Sequence, residues 1–145
     1  MVFCMNNPKQ QNSAFKIINP ETLYDPKVYG YSHIAEITHF SRIIHISGQS
    51  GEDTQGNLST VFQDQVQQTF LNIKLALSAV NCIFSDVAVL KILVVNHNSE
   101  KHETLINHVR EIWSGLDFPT CTLIPVPCLA KPEMLIEIDA TAYAN

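Results

Sequence analysis

Two carboxylates, Glu137 and Asp139, stand two positions apart in the alternating run Ile136-Glu137-Ile138-Asp139-Ala140 near the end of the chain. Side chains two apart on a strand project from one face, so the pair shares a side. Such a carboxylate reads either as a base or water-holder, whose pKa burial raises, or as a solvated or oligomer-lining pair. Cys121 is the thiol of interest. As a nucleophile it needs a depressed pKa and a partnered base, and no base is named by the sequence. The other reading is a small buried thiol filling space. Alternation sets Cys121 and Leu123 on the same side of their strand. The six histidines offer no metal site: His102 and His108 are six apart on one helix and point in different directions. His33, His39, His45 and His97 lie in separate segments without ligand-like spacing. Gly48 and Gly51 read first as turn glycines.

These residues need a scaffold, and 145 residues is a common size for one domain, expected over 13–145 after a loose tail at 1–12. Net charge is −5 and the two arginines, Arg42 and Arg110, stand apart among scattered lysines. Phosphate backbones require clustered cations, so no nucleic-acid partner is expected. No apolar run approaches the roughly 18 residues of a membrane span. The N-terminus lacks the layout of a secretory signal, so a cytoplasmic protein with reduced cysteines is expected, free of membrane contact. No cofactor is called for.

A strand at Phe15–Ile18 precedes an irregular stretch from Asn19 to Gly30, punctuated by Pro20 and Pro26. Tyr31–Thr38 and Arg42–Ser47 read as two strands, with His39–Ser41 as a hairpin turn and 48–58 as a loop. Val66, Phe70, Ile73, Leu77 and Val80 form a helical stripe within Val61–Val80. Val87–Val95 is a buried strand. Asn98-Ser99 offers an N-cap, with Glu100 and Glu103 in the first turn of a helix reaching about Trp113. Thr120–Val126 and Met134–Ala142 are the last strands. The order ββ-α-β-α-ββ predicts an α+β two-layer sandwich, a mixed sheet with two helices on one face. Val87–Val95 is apolar on both sides, so the second sheet face needs a cover, and another copy of the chain is the simplest.

Six stretches in register carry a resemblance. They are Tyr31-Ser32, Ser47-Gly48-Gln49, Gly56-Asn57-Leu58, Ile106-Asn107, Phe118-Pro119 and Ile136-Glu137-Ile138-Asp139-Ala140. In this order they resemble the RidA (YjgF-like) imine deaminases from about Phe15 to the C-terminus. The resemblance implies a chorismate-mutase-like homotrimer with sheets inside, helices outside and a small-molecule pocket between subunits. It implies a tyrosine at the pocket border, here Tyr31, a water-positioning glutamate, here Glu137, and a glycine, here Gly48, whose backbone amide is open to a ligand. His33, two residues after Tyr31, is a further candidate for the lining. The family's carboxylate-gripping arginine falls at Cys121, where a thiol cannot replace a charge-assisted clamp. Arg42 opens a strand, and Arg110 lies on a helix expected to face away from the pocket. With Cys121 and Leu123 the floor becomes apolar. Three functions remain open: a divergent imine or enamine hydrolase that does not use carboxylate-clamped 2-aminoacrylate, a non-catalytic small-ligand trimer, and an endoribonuclease.

Overall fold

The computed structural model describes residues 14–145; the expected tail at 1–12 lies outside them. The elements run β1 (Phe15–Ile18), β2 (Ile34–Ile37), β3 (Arg42–Ser50), α1 (Phe62–Ala79), β4 (Val87–Val95), α2 (Ser99–Ile112), β5 (Thr120–Val126) and β6 (Ile136–Ala144). Four strands form one mixed sheet in the order β3-β6-β4-β5. The β4–β5 pair is parallel and the others antiparallel. The parallel pair is joined through α2, because parallel neighbours need a crossover rather than a tight turn.

The expected hairpin between the second and third strands does not form. β2 pairs instead with β1, Phe15 opposite Ile37 and Ile18 opposite Ile34, and the two make a separate small sheet. Thr38 donates its backbone N–H to the Ala14 carbonyl, which extends that pairing past the strand. Local pattern identified both strands but carries no information on which strand is the partner. The third strand also continues to Ser50, through an irregularity between Ile46 and Gln49, where a loop from residue 48 was expected. A bulge of this kind absorbs Gly48 without ending the ladder.

The core lies between the sheet and the helices. Val66, Phe70, Ile73 and Leu77 of α1, with Leu105 and Val109 of α2, meet Leu90, Ile92 and Val94 of β4 and Ile136, Ile138 and Ala140 of β6. Each large side chain so buried contributes about 1.5–3 kcal/mol. Asn98 caps α2 as its spacing implies, its side chain accepting from the Lys101 N–H at 2.9 Å. Two polar side chains of α1, Gln65 and Thr69, are also fully buried. Gln65 donates to the Ser59 and Glu133 carbonyls (2.7 and 2.8 Å) and accepts from the Leu135 N–H (2.9 Å). It ties α1 to the segment entering β6.

The sheet's other face carries no helix. Register sets Val89, Lys91 and Leu93 there, opposite Thr141, Asp139 and Glu137 of β6. Ile43, Val89 and Ile124 are all exposed on the isolated chain.

Candidate functional site

Glu137 and Gly48 come together on the uncovered face. A Cβ added to Gly48 would lie 2.3 Å from a Glu137 carboxylate oxygen, so the carboxylate rests on the backbone at the bulge in β3. Glycine is required for that approach. Asp139, on the same face, sits 3.5 Å from Lys91 Nζ, whereas Glu137 has no ion-pair partner among the described residues. Two neighbouring carboxylates are thus differentiated: one is paired and the other is left to meet whatever lies over the sheet.

Tyr31, Cys121 and Leu123 come together on the opposite face. The Ser32 N–H donates to the Pro119 carbonyl (3.0 Å), and Ser32 bridges to Thr120, which docks Tyr31 beside the start of β5. Cys121 and Leu123 lie opposite Leu90 and Ile92, on the helix-bearing side. With Tyr31 they wall a small chamber of about 50 Å³ closed by His102, Leu105 and Val109 of α2. The chamber's character follows from its surroundings. Burial pushes the Cys121 thiol up to about 12. Burial, and then the hydrogen bond with the Tyr24 phenol, raise Tyr31 to about 12. Both groups stay protonated at neutral pH and act there as weak donors, not as a thiolate or phenolate. His33 is not in the chamber. Its ring packs edge-on to Tyr24 at 4.8 Å and to Tyr31 at 5.8 Å, and its Nε2 meets the Tyr24 carbonyl at 2.8 Å.

The five expected residues therefore fall into two groups on opposite faces of one sheet, and a single chain does not bring the groups together. Among the described residues no cluster of three or more His, Cys, Asp or Glu side chains can hold a metal. No helix there is long and apolar enough to cross a membrane.

Arg110 does not line the chamber; it lines a separate groove of about 570 Å³ between α2 and the turn at Val28 and Tyr29. Tyr29, His102 and Ile106 line both this groove and the chamber, so the two adjoin. The signal was present as a stripe: Ser99, Glu103, Ile106 and Arg110 are spaced to share one helical face. What the sequence lacks is the position of the 28–29 turn that makes the stripe a wall.

A mixed sheet backed by two helices, with a small chamber at its parallel edge, defines an α+β protein of the chorismate-mutase-like kind. The family description Endoribonuclease L-PSP matches residues 25–144, and the chain belongs to that RidA/YjgF-like family. It is 28% identical over 99 residues to the RutC family protein YjgH of Escherichia coli K12, spanning 68% of this chain and 74% of that one. The crystal structure of the Rid-family protein YyfB from Yersinia pestis superposes with a TM-score of 0.85 at 34% identity, covering 90% of this chain and 98% of that one. RidA from the Antarctic bacterium Psychrobacter sp. PAMC 21119 is similar at a TM-score of 0.63 and 25% identity, over 76% and 87% of the two chains.

Proposed function

We propose that the chain forms a cytoplasmic homotrimer that hydrolyses a small imine or enamine in pockets shared between subunits. Water adds across the C=N bond and ammonia leaves, so that the imine carbon becomes a carbonyl. Glu137 holds the water and takes its proton, Gly48 offers a backbone amide, and Tyr31, Cys121 and Leu123 form the apolar wall. The observation that carries this reading is the separation of the two groups across the sheet, since a neighbouring copy can supply the half that one chain lacks. Replacement of the carboxylate clamp by a protonated thiol at Cys121 argues that 2-aminoacrylate is not the natural substrate. The test is ammonia release from a panel of imines generated in situ, with Glu137→Gln beside the natural protein. Removing a general base lowers rates by about 10²–10⁴-fold, and a loss of at least about 100-fold is expected. An undiminished Glu137→Gln rate overturns the assignment.

A second reading, a small-ligand trimer without turnover, is favoured by the same Cys121 chemistry; saturable binding without ammonia release would establish it. The family's endoribonuclease name supplies a third. It is opposed by cations that are dispersed and engaged: Lys91 pairs with Asp139, Lys131 with Glu52, and Arg42 donates to the Val80 carbonyl. RNA affinity that falls steeply with salt would restore it.

A further inference from the structure

His97 and His102 have no ligand-like spacing in the sequence, yet the fold brings their rings together. Asn98 is the N-cap of α2, so His97 holds the position before the cap and His102 the fourth position of the helix. Asn96, at φ 50°, turns the chain out of β4, and the His97 ring lies edge-on to His102 with centres 5.3 Å apart. These two positions often carry an apolar pair that fixes how the chain enters a helix. Histidines suit that role poorly, because each brings polar nitrogens into the contact. The Nδ1 atoms of both are buried, and neither has a hydrogen-bond partner among the described residues. A buried polar atom is rarely left so, and here two touching rings each carry one.

Imidazole nitrogen is the commonest protein ligand for metals. It binds zinc at about 2.0–2.1 Å and lies about 1.2 Å from its ring centre, so two rings sharing one tetrahedral ion have centres about 5.3 Å apart. The observed spacing is 5.3 Å. Burial, then His102 and Lys101, hold the His97 pKa below its ordinary value, which keeps that ring neutral at pH 7 and able to bind a metal. Both rings line the groove of about 570 Å³, which gives an ion an entry path and room for water beside it. Lys101 opposes a cation, but its ammonium is engaged by the Val95 carbonyl at 2.7 Å and the Phe62 ring at 5.1 Å. No third His, Cys, Asp or Glu joins the pair among the described residues, so the site is an open one.

We propose that His97 and His102 together bind a divalent late first-row transition ion of the zinc class through their two unpartnered ring nitrogens, with water in the open positions. One ion satisfies both nitrogens at once. It clips the exit of β4 to the start of α2, and because His102 also walls the chamber, it stands at the seam between groove and chamber. The site is independent of the imine-hydrolase reading.

Calorimetric titration of the full chain with zinc chloride at pH 7.5 tests it, with exposed thiols such as Cys128 alkylated beforehand. One zinc per chain should bind at or below about 0.1 mM, and magnesium should not compete, because it prefers oxygen ligands. Outer-shell partners alone are worth about 10- to 100-fold in metal affinity, so His97→Gln and His102→Gln should each weaken zinc by at least about 10-fold. His108→Gln, on the same helix but packed against Phe70, should leave zinc uptake unchanged. The double variant His97→Leu with His102→Leu keeps an apolar pair at the helix entry and so keeps the fold. Zinc should raise the melting temperature of the natural chain and not that of the double variant. No zinc uptake by the natural chain, undiminished uptake in either Gln variant, or a zinc-dependent melting rise that survives in the double variant overturns the proposal.

Discussion

Cys121, which the proposed reading sets where an arginine would grip a carboxylate, has the chemistry of an inert group. Burial is the sole cause of its raised pKa, with no cation near enough to oppose it. A catalytic thiol needs the opposite setting, an electropositive and partly open one. The consequence is measurable by alkylation. With iodoacetamide at pH 7.5, exposed Cys128 should be modified while Cys121 stays largely intact, scored by peptide mass spectrometry. Cys121 should become reactive only as pH approaches 12. The sign for stability follows from the same shift. A thiol whose folded pKa is raised contributes stability that is complete below its ordinary value and lost as pH climbs from about 9 toward 12. Tyr31, raised from 10 to about 12, adds a loss over the upper part of that range. Rapid modification of Cys121 at neutral pH would return it to the list of nucleophiles.

Between elements, β3 approaches α1 closely at Gly51. A Cβ on Gly51 would lie 2.6 Å from the Gln65 Cα, a backbone atom that cannot swing aside. Asn72 secures the same joint by donating to the Ser50 and Glu52 carbonyls at 3.0 and 2.9 Å. Gly51→Ala should therefore destabilise by about 1–3 kcal/mol in urea unfolding, as overpacking does. Gln65→Leu, of similar size, strands the Leu135 N–H and two carbonyls, and should cost about 1–3 kcal/mol or more. A midpoint unchanged in both variants would show that the joint is not as close as described. This joint also marks where sequence reading stops. The stripe Val66-Phe70-Ile73-Leu77 and the strand Val87–Val95 are legible because burial imposes their periods. Gln65 looks like one more surface glutamine beside Gln63, Gln67 and Gln68, since two of its three partners lie about seventy residues away. The β1–β2 pairing was missed for the same reason, as Phe15–Ile18 and Ile34–Ile37 are separated by an irregular stretch that hides their closure. Residue types at the candidate site were readable; their division between two faces was not, because it depends on the sheet order.

For the whole molecule, the uncovered sheet face and the divided site make one demand. Ile43, Val89 and Ile124 stand 49%, 39% and 40% exposed around a single Lys91–Asp139 pair, and half-exposed pairs of that kind stabilise little on their own. Leaving Ile43, Val89 and Ile124 in water is costly, and covering this mixed face with a copy of itself also carries Glu137 and Gly48 toward a neighbour. The outer helical face serves as the control, because Leu75 is 55% exposed there and nothing in the site depends on it. Light scattering of the natural protein should give three times the 16.3 kDa chain mass. Val89→Asp places a charge in the apolar contact, where desolvation costs several kcal/mol, and should drive the mass toward a monomer. Leu75→Asp should leave the trimer intact. If catalysis is shared between subunits, ammonia release falls with the trimer fraction of Val89→Asp and recovers as protein concentration rises. A folded Val89→Asp that stays trimeric would mean that another surface makes the assembly. A monomer with full turnover would mean that one chain holds the whole site, and that Glu137 has no part in it.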